Sequence, residues 1–142
     1  METKNIMIVG VGGQGTLLAS KLLGRLLLGR GYDVKVSEVH GMSQRGGSVV
    51  TYVRYGDKVY SPVIDRGQAD VVLSFELLEA ARWTEYVKPG GRIITNTQQI
   101  SPMPVITGAA VYPQDLEEKI RGLGIELDAL DALSLAEEAG SS

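Results

Sequence analysis

The sequence predicts an α/β fold, a three-layer sheet of mostly parallel strands with an inserted antiparallel β-ribbon, on three observations. An apolar run at 6–9 passes through the glycine-rich GVGGQG into an apolar stretch with leucines at helical spacing. The strand-then-helix order returns in ADVVLS and FELLEAAR, which a further strand follows. Between the two units SVVTYVRY alternates with period two, the pattern of an antiparallel strand rather than of a crossover helix.

Taken in order, Ile6 to Val9 is a short apolar run closed by glycine, and Leu17 to Leu28 continues as a helix until Gly29 and Gly31 end it. Nearly every face of that helix is apolar, which predicts burial between the sheet and a second cover such as a partner surface. Asp33 to Val39 reads as the second strand, parallel to the first because a helix crosses between them. HGMSQRGG is too polar and glycine-rich for a regular element. Ser48 to Tyr55 is the first arm of the ribbon, and Gly56-Asp57 before Lys58-Val59-Tyr60 reads as its hairpin turn. The strand–helix order resumes with Val71 to Ser74 and Glu76 to Tyr86, then Pro89-Gly90-Gly91 as a turn and Arg92 to Thr95 as a strand. Thr107 to Tyr112 is a further possible strand, and Pro113 to Gly122 and Ala129 to Ala139 read as helices. The strand, glycine loop and helix together make the fold Rossmann-like.

With 142 residues, 44% of them hydrophobic and 22% charged, the chain is expected to form one domain over 1–142. It ends at AEEAGSS just after a predicted helix, so a further C-terminal part is expected in the natural protein. A formal net charge of -3 gives no electrostatic reason to bind nucleic acid or an anionic membrane. No signal-peptide pattern opens the chain and no run of about 18 apolar residues occurs, so a cytoplasmic chain is expected. There are no cysteines, so neither a disulfide nor a thiolate-held iron–sulfur cluster can form on this polypeptide.

Two loops are candidates for chemistry. The first, Gly10, Gly12, Gly13, Gln14 and Gly15, spells G-x-G-x-x-G between a strand and a helix, where backbone N–H groups can approach an anion at the positive helix end. A dinucleotide site also wants an acidic residue at the end of the second strand. Asp33 precedes that strand and Glu38 lies several residues late, so anion binding of another kind competes with glycines that simply permit a tight turn. The second loop supplies Glu38, His40, Ser43, Gln44, Arg45, Gly46 and Gly47. It should leave the carboxyl end of the second strand beside the first loop, where open α/β sheets place ligands. Arg45, followed by two glycines, suits a phosphate, a carboxylate or an acidic partner residue; a surface turn with an Arg45–Glu38 pair is the plainer alternative. His40 is the only histidine, with no second imidazole or cysteine for a metal site and no nucleophile that spacing can certify. Hence neither a metal ligand nor a catalytic residue is assigned. Glu76 opens a helix, where capping is its default role. Asn96-Thr97-Gln98-Gln99 follows a strand end and is placed to line the same rim.

GVGGQG, SEVHGMSQRGGSVVTYVRYGDKVYSP, ADVVLSFELLEAAR, VKPGGRIITNT and NTQQISPMPVITGAAVYPQDLEEKI, in this order, resemble the gamma domain of the 2-oxoacid:ferredoxin oxidoreductases. Within it, EVHGMSQRGGSVV is similar to the small subunit of the indolepyruvate type, and the resemblance covers nearly all of Lys4 to Ala139. It implies a complex that oxidatively decarboxylates a 2-oxoacid, indolepyruvate or another aryl pyruvate foremost, with coenzyme A as co-substrate and ferredoxin as electron acceptor. It also implies that thiamine diphosphate and the iron–sulfur clusters are carried by a large partner subunit, leaving this chain a small, non-redox subunit inactive alone. The absence of cysteine agrees, as does the lack of a GDG-type thiamine diphosphate motif. Both loops would then face the large subunit, with GVGGQG placed to touch coenzyme A phosphates. Two other readings stay open: an S-adenosylmethionine methyltransferase-like domain, which ADVVLS and VKPGG imitate, and a stand-alone dinucleotide-binding module.

Overall fold

A computed structural model describes residues 2–40 and 47–138 of the chain. Six strands form one sheet in the order β2-β3-β1-β4-β5-β6. The strands are β1 (Lys4–Val11), β2 (Asp33–His40), β3 (Ser48–Gly56), β4 (Ala69–Ser74), β5 (Val87–Asn96) and β6 (Glu126–Leu130). The helices are α1 (Thr16–Gly29), α2 (Leu77–Arg82), α3 (Met103–Ile106), α4 (Leu116–Gly122) and α5 (Ala132–Glu138). β1, β4, β5 and β6 run parallel, while β3 is antiparallel to both of its neighbours, β1 and β2.

The α/β class and the antiparallel insertion are as expected, but the strand order is not. β2 has the direction of β1 yet does not pair with it, because β3 lies between them in full register, from Lys4 opposite Tyr55 to Val11 opposite Ser48. The ribbon partner of β3 is therefore β2, and 58–60 is no strand. Val59 is instead buried and donates its N–H to the Asp33 carboxylate at 2.7 Å, holding the segment against the start of β2.

Further along, Pro89-Gly90-Gly91 lies inside β5 as an irregularity. The pairing jumps from Ala69–Val87 to Val71–Arg92, and Gly90 has a φ of 80° that favours glycine. The helix expected over 76–86 is α2 followed by a single 3-10 turn at Thr84–Tyr86. No strand forms over 107–112, which follows the short α3, whereas β6 is a strand that the sequence reading missed. Its burial alternates weakly, because it sits at the sheet edge.

Residues paired across neighbouring strands share a face. One face carries Met7, Val9, Val50, Val72 and Ile93, all buried, and packs against Ala80 of α2, Ile120 of α4 and Ile64. Each aliphatic side chain so buried is worth about 1.5–3 kcal/mol. The other face carries Ile6, Val53 and Val36 in one row and lies under α1, whose Gly24 comes within van der Waals reach of Val36. Against the sheet α1 buries Thr16, Ser20 and Gly24, while Leu18, Leu22, Leu26 and Leu28 point away from it, on the side where the sequence reading expects a second cover.

Candidate functional site

Because β1, β4 and β5 are parallel, their carboxyl ends meet at one edge of the sheet, and ligands of open α/β sheets bind at that edge. β3 begins at the same edge, so the loop joining β2 to β3 arrives beside the loop joining β1 to α1. A backbone hydrogen bond joins them: Gly12 N donates to Gly47 O at 3.0 Å. The expected common rim is thus present at its described base. Ser43, Gln44, Arg45 and Gly46 lie outside the described residues, as does the side chain of His40.

Each glycine of the first loop has a distinct physical reason. A Cβ on Gly10 would stand 2.9 Å from Thr16 Cγ2 and 3.0 Å from Gln14 Oε1, so close packing excludes a side chain there. Gly13 and Gly15 have φ of 92° and 85°, and the space around each is open. Gly15 caps α1 without a side-chain hydrogen bond, and no acidic residue stands in the first turn, so the helix itself supplies no side chain to offset its positive end.

Gln14 straps the loop down rather than reaching outward. Its Oε1 accepts from Val11 N at 2.7 Å, and its Nε2 donates to Phe75 O at 3.0 Å and Gln98 Oε1 at 3.3 Å. Asn96 Nδ2 donates to the same Gln98 oxygen at 3.4 Å, which brings the stretch after β5 into the rim.

The acidic residues weighed for a ribose lie elsewhere. Asp33 begins β2 at the opposite edge of the sheet, and burial cannot offset the hydrogen bond it accepts from Val59, which holds its carboxyl below the ordinary value. Glu38 pairs with Thr51 and is separated from β1 by β3. A dinucleotide fold needs its second strand beside its first. At about 4.8 Å per strand, β2 stands about 10 Å from β1, which removes the geometry both alternative readings require.

Glu76, read from the sequence as a helix cap, also joins the rim through contacts that the sequence does not show. Glu76, almost fully buried, caps α2 by accepting from Glu79 N at 2.8 Å. Its other oxygen accepts from Ile100 N at 2.9 Å and from the Tyr112 hydroxyl at 2.5 Å, and that hydroxyl accepts in turn from Leu78 N at 3.0 Å. Burial, and then the Glu76 carboxylate, push the Tyr112 phenol well above its usual value. One carboxylate thereby fixes the helix start, the segment after β5 and the segment before α4. Only the capping role had a local signal, since Ile100 and Tyr112 lie 24 and 36 residues away.

A cavity of about 250 Å³ opens beside this network, bounded by Val11, Gly47 and Ser48 on one side and by Glu79, Arg82 and the 100–104 segment on the other. Burial pushes the Glu79 carboxyl above the ordinary carboxylate range, against a hydrogen bond from Ser48 and the Arg82 guanidinium 2.9 Å away. Arg82 is half-exposed and presents a cation to the cavity mouth. A depression of about 540 Å³ lies between the start of β5 and Leu123–Ile125, at the edge opposite the strand carboxyl ends. Among the described residues no group of three His, Asp or Glu side chains is placed to hold a metal. No helix among them is long and apolar enough to cross a membrane.

A family model for pyruvate ferredoxin/flavodoxin oxidoreductase matches residues 5–142. Indolepyruvate oxidoreductase subunit IorB of Pyrococcus horikoshii is 52% identical, over 99% of this chain and 71% of its own length. Among solved structures, pyruvate oxidoreductase subunit PORC of Thermotoga maritima has a TM-score of 0.68 at 22% identity, covering 97% of this chain and 67% of that one. A 2-oxoglutarate:ferredoxin oxidoreductase of Magnetococcus marinus, solved with 2-oxoglutarate, coenzyme A and succinyl-CoA, has a TM-score of 0.69 at 17% identity, over 99% of this chain and 22% of that one. At those identities the solved structures speak to the fold, and they share it; the family match and the close relative carry the assignment. The chain belongs to the pyruvate ferredoxin/flavodoxin oxidoreductase family.

Proposed function

We propose that this chain is the small, non-redox subunit of a 2-oxoacid:ferredoxin oxidoreductase of the indolepyruvate type. The complex converts an aryl pyruvate and coenzyme A to an aryl-acetyl-CoA and carbon dioxide, and the electron pair released reduces ferredoxin. The observation that carries this reading is the 52% identity to an indolepyruvate oxidoreductase subunit across essentially the whole chain. The chemistry of the residues supports the division of labour. With no cysteine the chain does not fit a thiolate-held cluster, and the described residues offer no metal group, so clusters and thiamine diphosphate belong on a large partner subunit. Cytoplasmic placement is part of the same proposal.

In this reading the chain's own contribution is the rim. The open glycines Gly13 and Gly15, the end of α1 with no acidic residue in its first turn and the adjoining Gly47 form a donor-rich edge, with Arg45 proposed as its cation. Such an edge suits the phosphates of coenzyme A, held while the large subunit closes over them. Glu38, His40, Ser43, Gln44 and Gly46 belong to the same edge and face the large subunit. The Glu76 network holds the cavity wall in place from beneath.

The test is reconstitution with the large subunit, measuring reduction of ferredoxin or a viologen dye that depends on both indolepyruvate and coenzyme A. Wild-type chain should stimulate it, and Arg45→Ala should raise the KM for coenzyme A about 10-fold, near 1.4 kcal/mol. No stimulation by the wild-type chain overturns the functional reading. Unchanged coenzyme A dependence and unchanged subunit affinity in Arg45→Ala overturn the role of the rim.

A further inference from the structure

The outer face of α1 is apolar where a surface helix should be polar. Leu18, Leu22 and Leu26 form an i, i+4, i+8 row, exposed at 63%, 59% and 57%, and Leu28 adds 59%. Together with Leu17 they expose on the order of several hundred Å² of apolar surface, at the upper end of what a monomer shows. The fully buried positions are Thr16, Ser20 and Gly24, with Leu23 and Leu27 half-buried, so the helix sets small residues against the sheet and leaves this row of leucines in solvent. α1 packs mainly over β2, β3 and β1.

Beyond it the same sheet face continues bare. Val71, Leu73 and Ile94 alternate with the buried Val72 and Ile93, so they point to the α1 side, and each remains only half-buried. An apolar depression of about 150 Å³ lies there, lined by Leu73, Ile94 and Leu130 among others. Parallel strands are found with both faces covered, and among the described residues this face of β4 and β5 is met only at its edge, where Ala132 at the start of α5 lines the depression.

Charge narrows the occupant. Exposed Lys21 and Arg25 form the row beside the leucines, and no acidic residue occurs from Thr3 to Tyr32. A two-fold contact with a second copy would bring these cations toward one another. A bilayer-surface helix is an outcome that the vesicle test below separates. We propose that the leucine face of α1, continued over β4 and β5, docks an apolar, acid-bearing surface of the large subunit. This rests on the functional reading above and places a second contact area, apart from the glycine rim.

The test is the affinity of the chain for the large subunit, purified with its clusters and thiamine diphosphate, by sedimentation at low and high salt. Leu18→Ser with Leu22→Ser, and separately Lys21→Glu with Arg25→Glu, should each raise the Kd at least about 10-fold, while Val111→Ser, at an exposed site outside this face, should not. The substituted side chains point outward, so the thermal transition of each variant should match the wild type and separate docking from folding. Wild-type binding with unchanged affinity in both double variants overturns the docking face and leaves the functional reading standing. Wild-type chain that does not bind the large subunit overturns both. Self-association, or flotation with phosphatidylserine vesicles, that the leucine pair abolishes would assign the face to a second copy or to a membrane and overturn the proposal.

Discussion

The two faces of the sheet are covered in opposite ways. On one, Met7, Val72 and Ile93 are inaccessible to solvent and meet Ala80 and Ile120, so large side chains fill the space between layers. On the other, the helix touches the sheet through Thr16, Ser20 and Gly24 and turns its leucines outward. The first face holds the fold together. The second brings a helix backbone close to the sheet and leaves apolar surface for something else to bury, the arrangement of a subunit rather than of a free-standing protein.

The largest expected effect tests that contrast directly. Ile93→Ala should cost the isolated chain about 2–5 kcal/mol in a urea titration, through lost burial and a residual cavity. Leu22→Ala should stay within about 0.5 kcal/mol, because little is buried there until a partner covers it. Equal losses would mean that α1 contributes to the core in a way its exposed leucines do not show.

An intermediate effect is expected at the rim, which the packed face supports. Glu76→Gln replaces one carboxylate oxygen by an NH2 group, so either Glu79 N or the Ile100 N and Tyr112 hydroxyl pair loses its acceptor. The expected cost is about 1–3 kcal/mol, read from thermal unfolding, with faster hydrogen exchange at Ile100 and Leu78 amides. A variant as stable as the wild type would show that the three segments are held together by apolar contacts alone.

The smallest effect lies at the far edge. Burial raises the Asp70 carboxyl, but the ion pair with Lys88 and the hydrogen bond from Asn5 N at 2.8 Å outweigh it and hold it below the ordinary value. A lowered folded pKa means that its contribution is complete above the unfolded value, about pH 4, and is lost as pH falls through the folded one. Asp70→Asn should therefore destabilise by about 1 kcal/mol at pH 7, with the difference shrinking below pH 4. A difference that does not change with pH would place the effect in packing instead.

Much of the site was legible because it is local. Gly10 to Gly15 shows its turn and helix start within six residues, and HGMSQRGG announces a loop by composition. The pairing of these loops through Gly12 and Gly47 was inferred from strand direction, and the direction was right although the neighbour was not. β3 lies between β1 and β2 because its alternating residues pair on both sides, and no short-range signal distinguishes a strand that pairs with one neighbour from one that pairs with two. β6 is different: Ile125-Glu126-Leu127-Asp128-Ala129 does alternate, but the strand is only five residues long and runs into the helical ALSLAEE, whose pattern absorbed its end. The contacts of Glu76 with Ile100 and Tyr112 join residues far apart in the chain, and spacing carries no trace of them.

Turn chemistry and side-chain period act over a few residues, so the amino-acid order was enough for the strand, glycine loop and helix, and the lack of cysteine was enough to exclude thiolate-held clusters from this chain. Strand order, the identity of the carboxylate beneath the rim and the direction in which the leucines of α1 point follow from long-range packing. A helix apolar on nearly all sides can bury any of them. The close approach of Thr16, Ser20 and Gly24 to the sheet selects the side that stays outside.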